Sequence, residues 1–261
     1  VSPRVGVRNT GTTCYANALL QQLFALPSIR AALLAVPTAT VPATNQAAFQ
    51  VVCALQDVFV RMDRRLAAVI SAESLLLAVE TQSGVASLRT AQHDVVDFLH
   101  LLVACVQTFV TDVDVFAAIT GRVATTTTVA ATDEPLAHTT TTLRALPVPL
   151  AASVREAVAA FFQDETLDGA DRVISASGER VVATRRSRIV TAPEALLVQL
   201  NRFRLDASRT RIIKDNAPCT VDMTLDLSPF GGPSTYALAG IIAHQGTATA
   251  GHYVAYVRTD D

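Results

Sequence analysis

Two residues in this chain combine the type and the sequence setting that thiol chemistry needs. Cys14 stands where a polar, glycine-punctuated loop, Gly6-Val7-Arg8-Asn9-Thr10-Gly11-Thr12-Thr13, runs into a segment in which Leu19, Leu20, Leu23, Phe24 and Leu26 recur at helical spacing. That spacing predicts a helix beginning at or near Cys14, with Thr12 or Thr13 as its cap. The unpaired N–H groups and positive dipole end of such a helix favour a negatively charged sulfur. Near the other end of the chain, His252 opens an alternating segment, His252-Tyr253-Val254-Ala255-Tyr256-Val257-Arg258. A lone cysteine is equally well an ordinary buried thiol, and a lone histidine an ordinary surface residue. Brought together, they are a nucleophile and the base it requires.

The elements that must position them are legible from periodicity. From Cys14 to about Val115 the pattern is helical, broken at Pro27-Ser28, Pro37 to Pro42 and Ser83-Gly84. Leu55, Val58, Phe59, Met62 and Leu66 form one apolar stripe, and Ser71 is placed to cap the next helix. In the segment that follows, Val95, Phe98, Leu99 and Leu102 share a face, with Gln92, His93 and Asp94 in the first turn, where capping and dipole compensation account for Gln92 and Asp94. After Phe116 threonine and valine dominate, which favours strands. Residues 151–162 read as a helix, and 180–185, 187–190 and 195–200 as strands, with Ala192-Pro193-Glu194 as a turn. Tyr236 to His244, a loop from Gln245 to Gly251 and the His252 segment have the signature of a hairpin.

Composition limits the function classes. Half of the 261 residues are apolar, enough for a sizeable core, and 21 basic against 23 acidic residues argue against nucleic acid as the main partner. No run of eighteen apolar residues is uninterrupted, so no membrane span is expected. Cys14, Cys53, Cys105 and Cys219 are far apart and form no C-x-x-C pair, which argues against zinc and against a disulfide framework and fits a reducing compartment. Cys53 and Cys105 lie in apolar helical settings and read as structural, and Cys219 has no charged neighbour that would make it reactive. The start, Val1-Ser2-Pro3-Arg4, is neither an initiator methionine nor a secretory signal, as expected of a piece of a longer polypeptide.

Four blocks, in order, resemble the ubiquitin-specific proteases, papain-like cysteine peptidases that remove ubiquitin. They are Gly6 to Asn17 with Leu20-Gln21-Gln22-Leu23; Gln92-His93-Asp94 with Asp97-Phe98-Leu99; Pro193 to Phe203; and Gly251 to Val257, preceded by His244-Gln245-Gly246. Leu26-Pro27-Ser28-Ile29-Arg30 and Ala91-Gln92-His93-Asp94 look most like the large fat-facets-related members. The resemblance implies an α+β, papain-like fold in a single catalytic domain: a helical thumb over about 1–115, β-rich fingers and part of the palm over about 116–190, and palm over about 191–261. It implies Cys14 as nucleophile, His252 as base and Asn9, five residues before Cys14, as oxyanion-stabilising amide. Gln92, Asp94, His244, Tyr253 and Gly251 correspond to positions lining the channel for the extended tail of ubiquitin.

Two departures stand out. The regions 124–133 and 173–178, where family members commonly hold zinc between two C-x-x-C pairs, contain no cysteine, so neither zinc nor another cofactor is expected and the fingers must rely on strand pairing and threonine packing. The third catalytic residue, an Asp or Asn beyond an aromatic strand, has no match: the chain has no tryptophan, and Asp260 and Asp261 follow His252 too closely, leaving Asp260 as the one weak candidate. The readings that stay open are an active deubiquitinating isopeptidase, a catalytically impaired or inactive ubiquitin-binding scaffold, and a protease for another ubiquitin-like modifier. Each acts inside the cell, in cytoplasm or nucleus, on ubiquitin or its relatives, with no membrane or nucleic-acid partner.

Overall fold

The computed structural model describes residues 5–40, 43–206, 208–233 and 235–258. In chain order the elements are β1 (Gly6–Val7), α1 (Cys14–Ala25), α2 (Pro27–Leu34), α3 (Gln46–Asp63), β2 (Val69–Ile70), α4 (Glu73–Ser83), α5 (Val95–Phe109), β3 (Gly121–Val129), β4 (Pro135–Leu143), β5 (Leu146–Pro149), α6 (Val154–Phe162), β6 (Glu165–Leu167), β7 (Val173–Ile174), β8 (Arg180–Val181), β9 (Ala183–Thr191), β10 (Val198–Asn201), β11 (Phe203–Leu205), β12 (Ile212–Lys214), β13 (Thr224–Leu225), β14 (Tyr236–Ala237), β15 (Gly240–Gly246) and β16 (Gly251–Val257). Helices and strands are both abundant and are segregated along the chain, as an α+β class requires. No helix among the described residues is long and apolar enough to cross a membrane.

The chain forms two compact units. The first joins Val1–Ala118 to Ala239–Asp261, and the second is Ile119–Leu238. In the first unit, α1 to α5 pack around a core that includes Tyr15, Leu20, Leu23, Leu55, Phe59, Leu75, Phe98 and Leu102, all fully buried. Each such side chain removed from water contributes about 1.5–3 kcal/mol. Phe24 meets Phe59 edge-on with ring centroids 5.4 Å apart, and Phe49 meets Phe109 at 5.3 Å, geometries that aromatic quadrupoles favour. Of the expected stripe, Leu55, Val58, Phe59 and Met62 are buried, but Leu66 lies past the end of α3 and is exposed. β1 and β2 pair in parallel, and β15 pairs with β16 antiparallel, Gly240 opposite Val257 through Gly246 opposite Gly251.

The second unit is mainly sheet. Its four-stranded sheet runs in the order β4-β3-β9-β6, and α6 covers a core of Leu146, Val148, Val158, Phe162, Ile189 and Leu227. Threonine pairing occurs within it: Thr125 Oγ1 lies 3.0 Å from Ser187 Oγ across β3 and β9. The two strands expected at 180–185 and 187–190 are instead a short β8 and one continuous β9, because Arg185, Arg186 and Arg188 turn outward to Glu165 and Asp164 without breaking the ladder. The strand expected over 195–200 begins only at Val198, where pairing to β5 starts. The strand expected over 236–244 is split, since Tyr236 and Ala237 pair with β13 and β15 begins at Gly240.

Candidate active site

Cys14 is the first residue of α1 and is buried. The capping expectation is corrected here. Thr13 occupies the N-cap position but makes no side-chain cap; its hydroxyl donates to Asn9 Oδ1 at 3.3 Å and accepts from the Thr10 N–H. Thr12 Oγ1 donates to the Arg89 carbonyl at 3.0 Å instead of capping. The loop hydroxyls are spent on the loop itself and on residue 89, so the first turn of α1 keeps backbone N–H groups available beside the sulfur.

The same interactions orient Asn9. Its Oδ1 accepts from Gly11 N–H at 3.2 Å as well as from Thr13, so its amide nitrogen is the end left to donate. Gly11 has φ of 114°, a conformation suited to glycine, and this lets the chain fold back onto the Asn9 side chain. One turn into α1, Asn17 Nδ2 donates to the carbonyls of Val7 and Arg8, and Gln21 Nε2 to that of Val5, tying the preceding strand to the helix.

His252 is the second residue of β16, after Gly251, and is exposed. A cleft of about 370 Å³ within the first unit is lined by Asn9, Cys14, Asn17, Gln21, His252 and Tyr253 together with small apolar neighbours. Thus three residues singled out from the sequence, Asn9, Cys14 and His252, share one cavity. No hydrogen bond joins Cys14 to His252 among the described residues.

The remaining expected residues adjoin that cleft through Gly251 and Tyr253. Gln92 donates to the Gly251 carbonyl and accepts from its N–H, both at 2.9 Å. Asp94 and its neighbours precede the helix rather than forming its first turn. Asp94 is the N-cap of α5, accepting from Val96 and Asp97 N–H through Oδ1, while Oδ2 takes the Tyr253 hydroxyl at 3.4 Å. Burial, then the Asp94 carboxylate, pushes the Tyr253 phenol well above its ordinary value, so it stays a hydrogen-bond donor. The His244 ring lies tilted on Tyr253 with centroids 4.6 Å apart, and a side chain on Gly251 would overlap it. Asp260 lies outside the described residues.

Beneath this, a second set of contacts holds the segment carrying Gln92 and Asp94. Tyr15 donates its hydroxyl to the Leu88 carbonyl at 2.7 Å, and Glu80, with its side chain only 8% exposed, takes Arg89 N–H and Nε at 3.1 and 2.8 Å. Burial disfavours the Glu80 carboxylate, but the Arg89 bonds outweigh it and hold the group below the ordinary value. Burial raises the Tyr15 phenol, with the Glu80 charge adding to it. The sequence alone assigned no role to Asn17, Gln21, Gln22, Glu80 or Arg89; the available signal was three amide side chains, Asn17, Gln21 and Gln22, in a largely apolar helix.

Burial raises the Cys53 and Cys105 thiols, in keeping with the structural part read for them; Cys219 does have charged neighbours, contrary to expectation, but burial together with Asp222 and Glu156 outweighs Arg202 and raises its thiol too, and all four cysteines are free. No group of three or more His, Cys, Asp or Glu among the described residues is arranged to hold a metal ion.

Comparison with known proteins places the chain in a family. Residues 5–261 match the family model described as ubiquitin carboxyl-terminal hydrolase. Over 112 residues, 41% of this chain and 11% of the relative, the sequence is 34% identical to ubiquitin carboxyl-terminal hydrolase 48 of Danio rerio. Over 269 residues, 98% of this chain and 24% of the relative, it is 26% identical to ubiquitin carboxyl-terminal hydrolase 5 of Schizosaccharomyces pombe. A match of 27% over 128 residues, 40% of this chain and 5% of the relative, is to the probable ubiquitin carboxyl-terminal hydrolase FAF of Drosophila melanogaster. The chain therefore spans a quarter or less of the length of these relatives. Because that family match runs from residue 5 to residue 261, the chain belongs to the ubiquitin carboxyl-terminal hydrolase family.

Proposed function

We propose that this chain is the papain-like catalytic domain of a cysteine deubiquitinase that cleaves the isopeptide bond between the C-terminal glycine of ubiquitin and a substrate lysine. The observation that carries the reading is the shared cleft of Cys14 and His252. In the reaction, His252 takes the Cys14 proton as the sulfur attacks the glycine carbonyl carbon, and the carbonyl oxygen becomes an oxyanion that accepts from the Asn9 amide. Collapse of this intermediate breaks the C–N bond. His252 returns the proton to the departing lysine amine, and a thioester remains on Cys14. Water, deprotonated by His252, then attacks the thioester and releases the ubiquitin carboxylate and the thiol.

Gln92, Asp94, His244, Tyr253 and Gly251 form the wall past which the extended ubiquitin tail runs, and the small residues Gly246, Ala248 and Ala250 suit close backbone approach. The orienting partner of His252 is proposed to be a carboxylate or amide, Asp260 included. The partners are ubiquitin and ubiquitinated proteins inside the cell.

The test is covalent capture. Ubiquitin bearing a C-terminal electrophile, and matching probes of other ubiquitin-like modifiers, are incubated with the wild type, Cys14→Ala and His252→Ala. A ubiquitin adduct that disappears with Cys14→Ala and slows severely with His252→Ala is expected. Binding of ubiquitin without an adduct would overturn the enzymatic reading in favour of a scaffold, and an adduct with another modifier alone would reassign the substrate.

A further inference from the structure

Of all the polar side chains on α1, Gln22 makes the longest reach in sequence. Its Nε2 donates to the carbonyl of Ile241 on β15 at 3.2 Å and to that of Tyr256 on β16 at 2.8 Å. Ile241 and Tyr256 stand opposite each other in the hairpin ladder, so one amide grips both strands at a single rung. The grip needs space that Gly240 provides: a β-carbon built there would overlap the Gln22 amide. What glycine provides at residue 240 is this close approach, its φ lying outside the left-handed region; a larger residue would displace the flexible Gln22 amide rather than the backbone.

The consequence is a register. From Cys14 to Gln22 the helix rises about 12 Å, and from His252 to Tyr256 the strand runs about 13 Å. With Gln22 fixed at Tyr256, and Cys14 and His252 lining one cleft, α1 and β16 run side by side in the same direction, and equal lengths bring Cys14 level with His252. Of the α1 residues lining the cleft between Cys14 and Gln22, Asn17 and Gln21 give their amides to the carbonyls of Val7, Arg8 and Val5, and Ala18 is apolar, a contact that is not directional. Hydrogen bonds are, and the two from Gln22 fix where along the strand the helix stops.

We propose that Gln22, seated in the notch left by Gly240, is a positioning residue that sets the register of α1 against the β15–β16 hairpin and so holds the Cys14 thiol level with the His252 imidazole. This rests on the deubiquitinase reading for its substrate but not for its geometry, and the experiment separates the two.

Gln22→Leu keeps the bulk and removes both donors, while Gly240→Ala leaves Gln22 in place and evicts its flexible amide from the notch. Two rates are measured for each: hydrolysis of a ubiquitin C-terminal amide reporter, and alkylation of Cys14 by iodoacetamide, which uses no ubiquitin. Both variants should lower kcat about ten- to a hundredfold with KM within about twofold, and slow alkylation towards the rate of His252→Ala. Should Gln22→Leu fail to fold, Gly240→Ala alone decides. Wild-type kcat and alkylation in a folded variant would overturn the proposal, as would a defect in KM alone. A wild type inert towards ubiquitin but with His252-dependent alkylation would defeat the deubiquitinase reading, and the alkylation rates of the variants would still decide the register.

Discussion

Gln92 holds both backbone polar groups of Gly251, donating to its carbonyl and accepting from its N–H at 2.9 Å each, and so mimics a strand partner at the residue immediately before His252. The segment leading into α5 and the first residue of β16 are thereby joined at the rim of the cleft. The pairing makes Gln92 as much a support for His252 as a surface for substrate, and the two parts can be told apart by experiment.

Gln92→Ala leaves the Gly251 N–H unpaired. Amide hydrogen exchange at Gly251 should accelerate in the free protein, and kcat/KM for a ubiquitin reporter should fall about tenfold. If Gln92 only touched substrate, exchange at Gly251 in the absence of ubiquitin would stay at the wild-type rate.

For Asn9, the free end of the side chain is the donor end, because Oδ1 is occupied by Gly11 and Thr13. Asn9→Asp keeps the acceptor and removes the donor. Its kcat should drop about a hundredfold with little change in KM, the pattern of an interaction made only in the transition state. A variant whose KM rises while kcat holds would place Asn9 in ground-state binding.

Asp94 serves two partners with its two oxygens, the first turn of α5 and the Tyr253 hydroxyl. Asp94→Asn retains an acceptor for the cap, whereas Asp94→Ala removes it. The alanine variant should lose about 1 kcal/mol in denaturant unfolding and the asparagine variant distinctly less. Equal losses would mean that the cap is not what Asp94 contributes.

The Glu80–Arg89 pair gives a dependence on pH. Because the Glu80 carboxyl is held below its ordinary 4.5 in the folded state, its contribution to stability is fully present above pH 4.5 and is lost as pH falls through the lower folded value. Glu80→Gln should therefore flatten the acid limb of the stability profile below pH 4.5, read from urea midpoints. Arg89→Ala leaves the carboxylate buried and underpaired and should cost about 2 kcal/mol at neutral pH. An unchanged acid limb in Glu80→Gln would exclude the pair as its source.

What the sequence by itself determined was local. Helical spacing after Cys14, the cap chemistry at Asp94, alternation from His252 and the small loop between two strands are patterns within a few turns of chain; α1 forms where they predict, while α5 starts only at Val95, after the residues expected in its first turn, and β16 starts one residue early, at Gly251. The order of the motif blocks also carried the family, since side-chain types at fixed spacing survive in one dimension. Tertiary structure decided the pairings between distant segments. Thr13 turns from its expected cap to Asn9, Gln92 finds Gly251, and Gln22 finds a notch at Gly240. Periodicity records which face of an element is buried, but a polar side chain commits to whichever backbone group packing brings within about 3 Å, and that is set only once the elements have met.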